Sequence, residues 1–411
     1  MRRTDLADDV LVTGLGLVTA AGIGTRATWN GLLRARPTAA TDPLLEGLPV
    51  DFSCRVPAFD GRHLLGRRLD LRLDRACKFA LVAAREATAD AGLDPADWDP
   101  RRVAVVLGVG TCSFDTYEAE FAALAAGNPT RLSPLAILRS VPNMIPAEVA
   151  LDLGARGPCL SVSTACASGT SALGVARDLL RAGRCDIAVT GGAESTCARV
   201  PAACFHQMQA LSRRRDDPVT ASRPFDSDRD GFVLGEGAGI LVLERGAHAR
   251  ARGARARARF AGYGASCDAY HPAVPHPDGR GAADAIRMAL DDAGLTPSDI
   301  GHVNAHGTST RHNDLAESRA LHRTLLDQLP VTSLKGTLGH AIGAAGGIEA
   351  ACTVLSLEHQ LIPPTANLHR LDTGIGLDVV HTAPRPTALT AAISNSFGFG
   401  GQNAVALFTI T

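Results

Sequence analysis

Short apolar runs that end at glycine-containing turns alternate with helix-patterned segments from Asp9 to the C terminus, and this alternation restricts the fold more than any other feature. Strand patterns lie at Asp9 to Gly16, Arg102 to Gly108, Cys159 to Thr164, Asp186 to Gly192 and Ala238 to Glu244. They recur near Phe260, at His302 to Ala305, near Val331, and as a closing pair at Ala391 to Ser396 and Asn403 to Ile410. Helical spacing fills the intervals, most clearly at Asp74 to Ala91, Ser168 to Leu180, Ala282 to Ala293, Leu315 to Leu326 and Ala341 to Gln360. Such alternation predicts an α/β architecture with helices covering a parallel or mixed sheet. The Arg- and Ala-rich stretch Glu244 to Arg259 reads as a helix and as the boundary between residues 1–250 and 251–411. The two parts share an order of elements, which points to duplication without a residue-level repeat.

The most informative turn is Leu160-Ser-Val-Ser-Thr-Ala-Cys-Ala-Ser-Gly-Thr-Ser171, where a strand pattern runs into a helix pattern at Cys166. Unpaired N–H groups and the positive end of the helix dipole favour an anion there. A free thiol titrates near ~8.5 and falls by one or more units in such a position, so Cys166 is expected to be a thiolate nucleophile. The alternative is a small buried hydrophobe, the role expected of the other nine cysteines at positions 54, 77, 112, 159, 185, 197, 204, 267 and 352.

Of 41 basic residues only Lys78 and Lys335 are lysines. Lys335 lies in the apolar, glycine-rich Val-Thr-Ser-Leu-Lys-Gly-Thr-Leu-Gly-His340, where a compact ammonium serves and a planar guanidinium does not. A net charge of -1 argues against nucleic acid or a membrane surface as the main partner. The N-terminal Met-Arg-Arg-Thr-Asp-Leu-Ala-Asp-Asp lacks an apolar leader core, no run suits a spanning helix, and ten scattered cysteines form no disulfide framework. The expected location is cytoplasmic.

Two apparent ligand sites are decoys. Gly14 and Gly16 follow a strand, but Thr19 stands where a dinucleotide fingerprint needs a third small residue. Cys267, His271 and His276 are metal-ligating types at a spacing that fits no common zinc pattern, so no metal is expected.

Three further strand ends carry polar residues beside glycine: Val303-Asn-Ala-His306-Gly-Thr-Ser-Thr310, Lys335-Gly-Thr-Leu-Gly-His340 and Ser394-Asn-Ser-Phe397-Gly-Phe399-Gly-Gly-Gln-Asn403. Strand ends collect on one edge of such sheets, so two histidines could face one thiol; each histidine alone is equally well a hydrogen-bonded structural one. Glycines near Phe399 free backbone N–H groups for an oxyanion.

Together with Arg223-Pro-Phe-Asp and Arg229-Asp-Gly-Phe-Val-Leu-Gly-Glu-Gly-Ala-Gly, these motifs resemble the elongating β-ketoacyl-acyl carrier protein synthases over essentially the whole chain. The resemblance implies a thiolase fold, two βαβαβαββ halves in an α-β-α-β-α stack. It implies an acyltransferase in which Cys166 carries the acyl group, His306 and His340 support decarboxylation of malonyl-carrier, and Lys335 sets the electrostatics of the pair. By the same resemblance Glu349 and Asp314 support the site, and the N–H groups of Cys166 and Phe399 form an oxyanion hole. Thr308 and Thr310 touch the phosphopantetheine arm, Phe399 gates the acyl pocket, Phe397 lies beside it and Thr111 lines it. No cofactor is expected beyond the phosphopantetheine of the substrate's carrier. Thr310-Arg-His-Asn313-Asp314 and Lys335-Gly336 look more like type II polyketide than fatty-acid synthases. Arg68, Arg72 and Arg213, Arg214 and Arg215 are the expected docking points for an acidic acyl carrier protein. The expected assembly is a homodimer or a heterodimer with a homologous chain-length subunit. A chain-length or scaffold subunit that kept its cysteine is the alternative.

Overall fold

A computed structural model describes residues 9–111 and 113–411, so Cys112 and the N-terminal octapeptide, which both entered the expectations above, lie outside the described residues. The first half supplies β1 (Val10–Thr19), β2 (Val103–Gly108), β3 (Cys159–Val162), β4 (Ile187–Ser195) and β5 (Glu236–Arg245). The second supplies β6 (Ala258–Cys267), β7 (His302–Asn304), β8 (Pro330–Thr332), β9 (Asp378–Val379), β10 (Ala391–Gly398) and β11 (Gln402–Thr409). They run β9-β8-β7-β10-β11-β6-β1-β5-β4-β2-β3 through one sheet. Strand β2 lies parallel between β3 and β4, while β4, β5 and β1 follow one another antiparallel. The second half repeats this: β7 lies parallel between β8 and β10, and β10, β11 and β6 follow antiparallel. Two residue pairs, Leu11 with Arg259 and Val12 with Ala258, join the halves.

Five helices complete the layers: α1 (Arg75–Asp90), α2 (Ser168–Arg181), α3 (Arg280–Ala293), α4 (Arg311–Thr324) and α5 (Ala345–His359). Helix α1 starts where the Asp74 carboxylate accepts the Cys77 N–H, and α4 where the Thr310 hydroxyl accepts the Asn313 N–H. Helix α5 is buried on every side from Ala345 to Leu357, as its mostly apolar or small residues require of a helix enclosed by protein. It crosses α2 between the two sheet halves at a contact made of glycines and Thr170. A Cβ on Gly169 would sit 2.5 Å from the Gly347 nitrogen, and one on Gly346 would sit 2.4 Å from Thr170 Oγ1.

The outer helices reveal the repeat that is hard to see in the sequence. Gly14 and Gly16 of β1 let α1 approach so closely that a Cβ would lie about 2 Å from the carbonyl oxygens of Ala87 and Ala83. Gly262 and Gly264 of β6 do the same for the carbonyls of Ala289 and Ala285 in α3. The shared Gly-x-Gly is therefore a packing device at equivalent places in the two halves, and not a phosphate turn. The resulting order of α1, sheet, α2 with α5, sheet and α3 is the α-β-α-β-α stack of the thiolase fold.

One expected helix is corrected. Glu244 to Arg259 contains helix only at Gly246–Ala251, because β5 extends to Arg245 and β6 begins at Ala258. Arg252 reaches Glu244, Arg255 reaches Glu358, Arg257 reaches Asp90 and Glu358, and Arg259 reaches Asp9. These tertiary partners override a local helical preference of a few tenths of a kcal/mol per residue.

Candidate active site

The nucleophile candidate sits on a sharp strand-to-helix turn. After β3, Ala165 adopts φ 50°, a left-handed conformation that costs a non-glycine residue about 1–3 kcal/mol unless its surroundings fix it. Ser168 supplies that fixation: its hydroxyl accepts the Thr164 N–H at 2.9 Å and donates to the Ala165 carbonyl at 2.6 Å. Gly398 lies against the same turn, where a Cβ would come 2.4 Å from the Thr164 carbonyl. The N–H groups of Phe399 and of Cys166 itself point at the Cys166 sulfur.

His306 follows β7, and its loop is held by Glu317 of α4, which accepts the N–H groups of His306 and Gly307 at 2.8 Å each. His340 precedes α5 as Cys166 precedes α2, so the two halves each direct one helix N terminus at a shared point. Cys166, His306 and His340 each offer an atom within 4.8 Å of those of the other two, and the imidazoles stand edge to face at 83° with centroids 5.3 Å apart. Lys335 is 1% exposed. Its ammonium donates to the His306 carbonyl at 2.6 Å, lies 3.4 Å from His306 Nδ1 and pairs with Glu349. An ammonium beside Nδ1 leaves the lone pair there and the ring proton on Nε2. Both ring nitrogens of His340 are buried without a partner. A buried polar group left unpaired costs about 1–3 kcal/mol, which marks a place prepared for a ligand.

Burial, the Lys335 charge and, for His306, the His340 ring hold both imidazoles well below the usual range, so both are neutral. The sulfur departs from the expectation drawn from its place in the chain. Burial pushes the Cys166 thiol up to about 12, against smaller downward effects of the Lys335 charge and the two N–H groups. The helix N terminus is where the sequence puts it, but the apolar walls that desolvate a thiolate come from distant segments. Phe232 and Ile342 share the apolar cluster that holds Cys166.

The three groups open into a cleft of about 930 Å³, its mouth included. Residues 7–249 match the model of the β-ketoacyl synthase N-terminal domain and residues 257–369 that of its C-terminal domain. The chain belongs to the β-ketoacyl synthase family. It is 41% identical to the 3-oxoacyl-[acyl-carrier-protein] synthase 2 of Synechocystis sp., over 97% of each chain. Among solved structures it resembles the ishigamide ketosynthase/chain length factor (36% identity, TM-score 0.91, 98% of this chain and 99% of that one). It also resembles the AntDE:AntF complex, a type II PKS acyl-carrier protein with its ketosynthase bound to the hexaketide (32% identity, TM-score 0.90, 98% and 99% covered).

In this β-ketoacyl synthase the other expected site residues fall into four groups. Thr308 and Thr310, their hydroxyls 2.9 Å apart, line the cleft with Phe397 and Phe399. Asp314 is not among the lining residues; it accepts the Phe225 N–H at 2.9 Å and faces the fully buried Arg229 guanidinium at 3.2 Å. Thr111 is outside the cleft lining; its hydroxyl donates to Glu194 at 2.7 Å. Ile342 is among the residues that do line the cleft. Of the docking arginines, Arg68 and Arg213 are exposed, Arg72 pairs with Glu148, Arg214 donates to the Asp228 carbonyl, and Arg215 pairs with Asp51.

Three acidic residues are structurally prominent here and were missed in the sequence: Glu317, Glu194 and Asp268. Glu194 follows Gly191-Gly192 at a strand end, the same grammar that flagged His306, and that signal was available. Asp268 lay inside the decoy loop, where it accepts the His276 N–H and the Asn403 side chain and so shapes residues 273–275, which line the cleft. His271 and His276 spend their Nδ1 atoms accepting backbone N–H groups of their own turns. Among the described residues the one set with metal-ligand geometry is Cys166, His306 and His340. It would suit a thiophilic ion better than an oxygen-seeking one.

Proposed function

We propose that this chain catalyses the decarboxylative Claisen condensation of an acyl group, held on Cys166, with a malonyl-acyl carrier protein to give a β-ketoacyl-acyl carrier protein. The observation that carries this is one buried thiol with two neutral imidazoles within 4.8 Å, one imidazole lacking any partner. Cys166 attacks the incoming thioester carbonyl; the carrier thiol leaves with the proton that the cysteine gives up. The tetrahedral oxyanion lies where the N–H groups of Cys166 and Phe399 converge. The malonyl thioester enters next. Nε2–H of His306 and a ring N–H of His340 donate to its carbonyl oxygen as carbon dioxide leaves, stabilising the enolate that attacks the acyl-enzyme and expels the sulfur. Neutral imidazoles suit this task, because they donate without adding charge to a buried site that already holds Lys335.

Thr308, Thr310, Phe397 and Phe399 guide the phosphopantetheine arm and the acyl chain, and the exposed Arg68 and Arg213 receive the carrier's acidic surface. Residues 1–250 and 251–411 are the two halves that meet at the site. Elongation in a polyketide pathway is favoured by Asn313-Asp314 and Lys335-Gly336, and the chain is taken to work in the cytoplasm, where no described helix is long and apolar enough to cross a membrane.

A dimer is part of this proposal. Strand β3 is an unpaired edge with Leu160 42% exposed, and the helices Phe114–Ala125 and Ala136–Ser140 expose Phe121, Leu124, Ile137 and Leu138. A bare edge beside apolar side chains invites a second sheet edge. The partner is a second copy or a homologous chain-length subunit, as the ishigamide ketosynthase/chain length factor pairs.

The deciding experiment incubates the protein with an acyl-acyl carrier protein and reads the intact mass, then adds malonyl-acyl carrier protein. Acylation confined to Cys166, followed by extension, is expected. Acylation with no extension, alone and with a chain-length partner, would mean an acyl-holding subunit instead, and no acylation would remove the proposal. Leu160→Asp should yield monomers in sedimentation.

A further inference from the structure

Ile342 has a backbone that a β-branched residue rarely takes. Its φ is 44°, two residues beyond His340, and its side chain walls the cleft beside Cys166 and His340. Such a conformation persists only where neighbouring groups hold it, and it clusters at functional sites. The next residue shows what does the holding. Gly343 N–H donates to Glu194, and Gly343 is wedged so tightly that a Cβ would lie 2.2 Å from the Gly110 nitrogen and 2.8 Å from Glu194 Oε2. Glu194, 2% exposed at the end of β4, also accepts the N–H groups of Gly110 at 2.8 Å and Thr111 at 3.1 Å and the Thr111 hydroxyl at 2.7 Å. One carboxylate thus ties the turn after β2, in the first half, to the turn before α5, in the second.

We propose that Glu194 is a positioning residue for acyl-chain selectivity: through Gly343 it holds Ile342 in the left-handed conformation that closes the cleft wall beside the nucleophile. Three backbone N–H groups and a hydroxyl converge on the carboxylate, so the position needs an acceptor. Glutamine could still serve, its amide donating to the Thr111 hydroxyl in place of Oε1, whereas leucine accepts nothing and leaves the N–H groups unpaired. With Gly343 released, Ile342 relaxes to an ordinary φ and swings its side chain out of the wall. Glu194 touches no reacting atom; it acts on the substrate through Ile342.

This rests on the proposed acylation of Cys166, so the test first measures that step in the unaltered chain. Saturated acyl-N-acetylcysteamine thioesters of short, medium and long chain are compared by the rate of Cys166 acylation. Iodoacetamide alkylation of the same sulfur serves as the chain-independent control. Glu194→Leu should move the long-to-short ratio of kcat/KM by about tenfold toward long chains, with alkylation changed less than about twofold. Ile342→Ala should move it in the same direction, and the double variant should move it no further than Ile342→Ala alone, because the glutamate acts through that side chain. An unchanged ratio in folded Glu194→Leu, or effects of the two substitutions that multiply, overturns the proposal. If Glu194→Leu does not fold, an unchanged ratio in Ile342→Ala overturns it as well. Absence of acylation in the unaltered chain would instead refute the catalytic role of Cys166.

Discussion

Replacing Lys335 by methionine separates what the buried ammonium does for folding from what it does for chemistry. The side chains are close in length and both suit an apolar setting, so the substitution removes a charge and three interactions while leaving little void. Those are the bond to the His306 carbonyl, the approach to His306 Nδ1 and the ion pair with Glu349. Breaking a buried pair from one side costs about 3–5 kcal/mol, because the surviving charge stays buried and alone. Burial already pushes Glu349 up to about 7 with the Lys335 charge opposing, so without that charge its folded value rises further. A carboxyl whose folded value lies above its unfolded one stabilises the protein below the unfolded value near 4.5, and that stability is lost as pH rises through the folded value. Lys335→Met should therefore be weakly destabilised at acid pH and progressively more so towards neutrality, read from urea midpoints across the range. Adding Glu349→Leu removes the orphan charge and should recover most of the loss, about 2–4 kcal/mol. Condensation should not recover with it. In both variants His306 has lost the group that keeps its proton on Nε2, and decarboxylation of malonyl thioester should remain down by about 10²–10³. Near-normal decarboxylation in the double variant, or a single variant as stable as the parent at neutral pH, would refute this account of the lysine.

Three other outcomes follow from the same physics. Alkylation of Cys166 by iodoacetamide should rise about tenfold per pH unit through neutrality with no plateau, since the thiol titrates near 12; a plateau near pH 7 would restore the helix-dipole expectation. His302, fully buried on β7 with neither ring nitrogen partnered, is held down to about 3, so its stabilising neutrality is present above the unfolded value of 6.5 and lost as pH falls below it. The maximum loss is about 5 kcal/mol at 1.36 kcal/mol per unit, and His302→Phe should flatten the acid limb of the stability curve; an unchanged limb counts against it. Cadmium should protect Cys166 from alkylation, reversibly by chelator, while magnesium does not; His340→Ala should weaken this protection, and equal protection in that variant would place the ion elsewhere.

Fold class was legible because strand and helix periodicities differ and glycine punctuates both, so alternation survives without any tertiary information. The grouping of Cys166 with both histidines was legible for a related reason: Cys166 and His306 are exceptions just past apolar strands, and His340 follows a glycine after the short helix Lys335–Leu338 that the sequence pattern reads as a strand end. What the sequence did not disclose depends on partners far away in the chain. The arginines after Glu244 look helical until Glu358 and Asp90 are brought beside them. The raised thiol of Cys166 reflects walls assembled from several segments, and Thr111 turned away because Glu194 is 83 residues distant in sequence and adjacent in space. The residue-level repeat behind the duplication escaped detection because its trace, Gly14 and Gly16 matched by Gly262 and Gly264, is two small residues in a strand rather than a recognisable motif.

The close crossing of α2 and α5 has a consequence for how such a site tolerates change. Cys166 and His340 ride on the leading ends of those two rods, and where the rods touch, Gly169 meets the Gly347 main chain and Gly346 meets Thr170. Little room lies between them, so the spacing of sulfur and imidazole is set like a gauge block by main-chain groups and a short hydroxyl side chain. Substitutions elsewhere can reshape the cleft without moving its two principal groups apart. A single methyl at Gly169 or Gly346 would act as a shim, felt first as lost reaction and only then as lost stability.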